Sequence, residues 1–165
     1  VSLKAGDGEG FLRSKRVIGP NLLVAFDIEE NSDWFGWDSR PSHVHHPFDN
    51  VCVILNGADS ADETYRLEVN ARNREKTVLY RRGREVAGTV QDSTFPIRHE
   101  GGHAPYAPRR NRITLIKLDG TVTAYINGKQ VLSYIDSEPL PVDRGGIGGY
   151  ATNINFSHVT MRSID

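Results

Sequence analysis

Residues 113–136, Ile113-Thr-Leu-Ile-Lys-Leu-Asp-Gly-Thr-Val-Thr-Ala-Tyr-Ile-Asn-Gly-Lys-Gln-Val-Leu-Ser-Tyr-Ile-Asp136, decide the fold. Asp119-Gly120 and Asn127-Gly128 supply the positive φ angles that two-residue hairpin turns need, and each stands between runs of β-branched and aromatic residues. The stretch predicts two consecutive β-hairpins, and so an antiparallel sheet.

The same two-residue period recurs upstream. Asn21–Glu30 puts Leu22, Val24, Phe26 and Ile28 on one face and Leu23, Ala25, Asp27 and Glu29 on the other. Tyr65–Asn70 sets Tyr65, Leu67 and Val69 against Arg66, Glu68 and Asn70, the pattern of a half-buried antiparallel strand. Further strands are expected at Gly10–Lys15, Asn50–Asn56, Lys76–Arg81, Arg84–Val90, Arg112–Leu118, Thr121–Ile126, Gln130–Ile135, Gly146–Tyr150 and Asn153–Arg162. About ten short strands divided by Gly, Pro, Asn and Asp, with no sustained helical period, leave a sandwich or a barrel.

Beyond the hairpins run Gly145-Gly-Ile-Gly-Gly-Tyr150 and Ile154-Asn-Phe-Ser-His-Val-Thr-Met161. Residues 113–161 resemble the C-terminal half of the concanavalin A-like lectin/glucanase superfamily, nearest its LamG-like and 3-keto-disaccharide hydrolase-like domains. There a strand ending in Asn-Gly-Lys leads through an Asp-x-x-Pro-Leu loop and an Ile-Gly strand to the final strand. Tyr65-Arg-Leu-Glu-Val and Val78-Leu-Tyr-Arg-Arg82 look like the strand pair that precedes the long middle loop in these families. The resemblance implies an all-β, antiparallel jelly-roll β-sandwich, read here as one domain over residues 1–165.

Charge narrows the partners. With 20 basic and 21 acidic residues the net charge is −1, so no long-range field draws the chain to nucleic acid or an anionic membrane. No apolar run approaches the roughly 20 residues of a membrane span, and no charged-then-apolar leader opens the chain. Cys52 is the one cysteine, so no internal disulfide forms. Its place in Val51-Cys-Val-Ile-Leu55 marks a buried, inert thiol.

Two segments read as long loops, Ser32–Asp49 and Gln91–Asn111, and loops of that length tend to carry function. The first holds Trp34, Phe35 and Trp37, whose flat faces suit stacking on sugar rings or, equally, capping the end of a core. His43, His45 and His46 are weak metal candidates, since alternate residues of an extended segment share a side, yet no partner pair with metal spacing exists elsewhere. A structural calcium is compatible with Asp7-Gly-Glu9 and Asp136. Arg81, Arg82 and Arg84, with Arg109, Arg110 and Arg112, suit either acidic sugars or the protection of sheet edges.

Glycoside hydrolysis needs two carboxyl groups about 5–10 Å apart. The alternating acids of the superfamily's glucanases are missing. Glu29 and Glu68, with Arg66, are the residues an enzyme would use. No serine-nucleophile motif, phosphate-cradling loop or dinucleotide fingerprint is present, and Gly145-Gly-Ile-Gly-Gly149 reads as close strand packing or a bulge.

The expected function is a carbohydrate-binding domain of a bacterial secreted or surface carbohydrate-processing protein, extracellular or periplasmic. It would have no cofactor and a glycan or oligosaccharide partner, beside other domains of a larger protein. Trp34, Trp37, Tyr106, Arg109 and Tyr150 are the expected contacts on a concave sheet face. The alternatives are a glycoside hydrolase or polysaccharide lyase of the same fold, and a structural or interaction module.

Overall fold

The computed structural model describes residues 2–4, 9–30, 51–57, 64–70, 76–90, 110–150 and 153–165. These form twelve strands: β1 (Ser2–Lys4), β2 (Glu9–Arg13), β3 (Leu22–Glu30), β4 (Val51–Asn56), β5 (Thr64–Asn70), β6 (Lys76–Arg81), β7 (Arg84–Val90), β8 (Arg110–Leu118), β9 (Thr121–Ile126), β10 (Lys129–Ile135), β11 (Arg144–Tyr150) and β12 (Asn153–Ser163). Among the described residues there is no helix.

The strands make two six-stranded sheets, β1-β12-β3-β8-β9-β10 and β2-β11-β4-β5-β6-β7. Every pairing is antiparallel, as the hairpin reading requires. This is the expected β-sandwich. Only β1 lies outside the expected strands, because three residues carry no readable period.

The alternation read from the sequence selects the core. Leu22, Val24, Phe26 and Ile28 of β3 and Tyr65, Leu67 and Val69 of β5 are fully buried, and they share one cluster with Ile113, Leu115, Ile126, Ile147 and Phe156. Phe26 and Phe156 meet edge to face, with ring centroids 5.4 Å apart. Each large apolar side chain so buried contributes on the order of 1.5–3 kcal/mol. At one side the sheet edges are tied where Thr89 Oγ1 donates to the Val131 carbonyl at 2.5 Å.

Both predicted turns form, for different reasons. Asn127 and Gly128 take φ +51° and +79°, the paired left-handed angles of a type I′ turn. The Asn127 side chain also accepts from Arg112 N at 2.8 Å and donates to Asn111 Oδ1 at 2.8 Å. At the other turn Asp119 alone is left-handed, at φ +50°. Gly120 serves space instead, since a Cβ there would lie 2.7 Å from the Asp136 carbonyl.

The register also fixes where the long segments attach. Residues 31–50 leave β3 after Glu30 and join β4 at Val51; residues 91–109 leave β7 after Val90 and join β8 at Arg110. Glu29 pairs with Arg110, Val51 with Val69 and Lys76 with Val90. All four attachment points therefore fall at one end of the sandwich.

Candidate functional site

Strand alternation gives the second sheet an outer face, opposite the core, with two rows of side chains across it. One row reads Arg13, Gly146, Ile54, Arg66, Tyr80, Glu85, and the other Phe11, Gly148, Cys52, Glu68, Val78, Gly88. Gly146 and Gly148 leave β11 bare in both rows. The strand stays paired on both sides through these glycines, so they make a lane without side chains rather than a bulge.

Neighbouring side chains lean into that lane. The Phe11 ring has the Arg13 guanidinium 5.9 Å from its centroid and the Arg66 guanidinium 5.8 Å away, both within cation–π range. Arg66 starts on the third strand from β2, and on its way its Nη2 comes within 3.6 Å of Cys52 Sγ. Cys52 and Ile54 are buried although they point outward. The expected buried thiol is confirmed, but it lies under this arch, not in the core cluster.

Arg66 Nε lies 2.8 Å from Glu68 Oε1, with the two side chains 26% and 18% exposed. A donor fork and a carboxylate are thus held side by side on a rigid strand, partly shielded and partly open. In register with them stand Tyr80 and Glu85, the latter 3.7 Å from Lys76 Nζ.

The outer face of the first sheet holds a different cluster. Asp27, on the face of β3 turned away from the core, is only 8% exposed. Its Oδ1 is 3.0 Å from Arg112 Nη1, and its Oδ2 is 2.9 Å from His158 Nδ1 and 3.8 Å from Arg110 Nε. His158 sits in a bulge of β12 at φ +47°, and Arg112 Nη1 also donates to its carbonyl at 3.2 Å. The cluster clamps an irregular strand. Asp27 and Glu68 lie on opposite faces of the sandwich, so they do not form a catalytic pair.

At the end away from the long segments, a buried network closes the core. Asp136 Oδ2 accepts from Tyr65 Oη at 2.5 Å and Arg81 Nε at 2.6 Å, and Oδ1 accepts from Glu138 N at 3.0 Å. Burial opposes ionisation of Asp136, but the hydrogen bonds from Tyr65 and Arg81 outweigh it and hold the carboxyl below the usual carboxylate range. Burial, reinforced by Asp136, pushes the Tyr65 phenol up to about 12. Lys117 is buried nearby and donates to the carbonyls of Pro20 and Asp119 at 2.9 and 3.0 Å; burial pushes its ammonium pKa down. A calcium ion at Asp136 would have to displace a bound arginine. Among the described residues no group of three or more His, Cys, Asp or Glu side chains is arranged to hold a metal.

Of the residues singled out from the sequence, Arg66 and Glu68 are brought together. Glu29 belongs to the first sheet, opposite Arg110 and Asn155. Tyr150 ends β11, opposite Glu9. Trp34, Trp37, His43, His45, His46, Tyr106 and Arg109 lie outside the described residues. Phe11 and Arg13 were not singled out: nothing in a short N-terminal strand shows that it lies beside a glycine lane formed over 130 residues later.

No protein-family model matches the chain, and no curated protein matches it in sequence. Solved structures do share its fold. Carbohydrate binding module CBM66 from Bacillus subtilis superposes with TM-score 0.63 at 14% identity, over 96% of this chain and 84% of that one. A tetrameric galectin from the ball sponge Cinachyrella sp. gives 0.60 at 11% identity, over 93% and 99% of the two chains. A Bacillus subtilis protein of unknown function with a galectin-like fold gives 0.60 at 13%, over 98% and 80%. The chain has the galectin-type, concanavalin A-like β-sandwich fold.

Proposed function

We propose that the chain is a carbohydrate-binding domain whose ligand lies on the outer face of β5, β6 and β7. Arg66, Glu68, Tyr80 and Glu85 would line it, with Trp34, Trp37, Tyr106, Arg109 and Tyr150 as further contacts. The observation that carries the reading is the Arg66–Glu68 pair, 2.8 Å apart on one rigid strand. A sugar presents hydroxyl groups that donate and accept at once. A guanidinium and a carboxylate already fixed side by side meet both demands with little ordering cost, and charge-assisted bonds are the stronger kind. The fold supports the reading, since proteins named as a carbohydrate binding module and as galectins share it.

The binding would be non-covalent, by hydrogen bonds from the strand residues and stacking on loop aromatics. The resemblance of residues 113–161 extends the proposal to an extracellular or periplasmic setting in a bacterial carbohydrate-processing protein of LamG-like or 3-keto-disaccharide hydrolase-like kind. A glycan array, followed by calorimetric titration of the best binder, tests it. Glu68→Gln and Arg66→Ala are expected to weaken binding at least about tenfold, and Trp34→Ala or Trp37→Ala by about 1–3 kcal/mol, with no product formed. Turnover abolished by Glu68→Gln would make the domain an enzyme, and absence of any glycan binding would leave a structural module.

A further inference from the structure

We infer that the sugar recognised on this face carries an acidic group, a carboxylate or sulfate, and that Arg13 and Arg66, ranged about Phe11 over the β11 glycine lane, form its subsite. The inference rests on the glycan-binding reading above and adds the class of ligand.

The subsite is built from four neighbouring strands. Gly146 and Gly148 remove the side chains that would otherwise separate β2 from β4. Arg13 fills part of the space, since a Cβ on Gly146 would meet its Cγ at 3.2 Å. Phe11 lies beside it, and both guanidiniums come within 6 Å of that one ring, at 5.9 and 5.8 Å from its centroid. Cation–π attraction holds each in place.

The charges around the ring do not balance. Arg66 has Glu68 at 2.8 Å. Arg13 is exposed and has no carboxylate at ion-pair distance among the described residues. Among the described residues, Arg13 thus brings to the ring a guanidinium that no carboxylate neutralises, over the buried floor of Cys52 and Ile54. The planar guanidinium fork matches the paired oxygens of a carboxylate or a sulfate, and two forks would share one anion. The chain's net charge of −1 makes this local recognition, not long-range attraction.

The test is calorimetric titration of the full chain with glucan, galactan and mannan oligosaccharides, each neutral, oxidised to the uronate at C6, or sulfated. On the backbone that binds, an acidic form is expected to bind about tenfold or more tightly than the neutral form, with the preference shrinking as ionic strength rises. Arg13→Gln is expected to bring the two forms within about twofold, and Arg13→Lys to keep part of the preference. Equal thermal midpoints for these variants would show that the fold is intact. The uronate and sulfate arms identify the acid. Neutral forms binding as well as acidic ones, or a preference untouched by Arg13→Gln, would overturn the subsite and leave the glycan reading standing. No binding of any form would overturn both.

Discussion

The Tyr65 hydroxyl donates to Asp136 Oδ2 at 2.5 Å, joining β5 of the second sheet to the loop that follows β10 of the first. The same oxygen of Tyr65 accepts from Leu140 N at 3.0 Å, and Arg81 Nη2 donates to the Glu138 carbonyl at 2.6 Å, so one phenol and one guanidinium pin the loop over the core. Removing the hydroxyl in Tyr65→Phe strands a buried amide and weakens the hold on a buried carboxylate. The expected cost is about 1–3 kcal/mol of stability, read from denaturant midpoints at unchanged slope. A midpoint equal to that of the wild type would mean that the network does not close this end.

Asp136 also sets an acid limit. Its folded pKa is depressed, so its contribution is present above the unfolded value near 3.9 and is lost as pH falls through the folded value. Thermal midpoints should drop on acidification below about pH 4, and Asp136→Asn should flatten that drop. Tyr65 acts at the other extreme. Its raised pKa of about 12 adds stability below pH 10 that is lost as pH rises from about 10 to about 12. Buried Lys117, with its pKa pushed down, works in the opposite direction as pH rises.

The two hairpin glycines should fail differently. Gly128 has φ +79° and no atom within 4 Å of a Cβ built on it, so Gly128→Val pays only for backbone strain, about 1–3 kcal/mol. Gly120→Ala forces a Cβ against the Asp136 carbonyl at 2.7 Å, which disturbs the pinned loop. The Gly120 variant is therefore expected to lose less stability with Tyr65→Phe than the sum of the two single losses, whereas Gly128→Val should add to Tyr65→Phe independently. Denaturant midpoints of the double variants check both.

Much of this was legible in the chain because a strand writes its own period. Leu22 to Ile28, Tyr65 to Val69 and the hairpins at 119–120 and 127–128 were read from local alternation and turn chemistry alone. Sheet membership was not, since it depends on contacts far apart in sequence. β11 enters between β2 and β4, and β12 between β1 and β3. For that reason alternation alone could not show that Asp27 and Glu68 belong to different sheets. The Arg66–Glu68 pair was within reach, being two residues apart on one strand face. The arch of Phe11, Arg13 and Arg66 was not, because it exists only where Gly146 and Gly148 are brought beside β2. The Asp136 network was hidden likewise, with Tyr65 and Arg81 lying 71 and 55 residues away in sequence.

Backbone amide chemical-shift mapping during titration with the best-binding oligosaccharide tests most directly which sheet face binds the ligand. The predicted result is a set of perturbations concentrated on β5, β6 and β7 about Arg66, Glu68, Tyr80 and Glu85, spreading to Arg13 and Gly146 with an acidic ligand. Perturbations concentrated on the outer face of the first sheet, at Thr114, Thr123, Tyr125 and Ser133, with the second sheet silent, would contradict it.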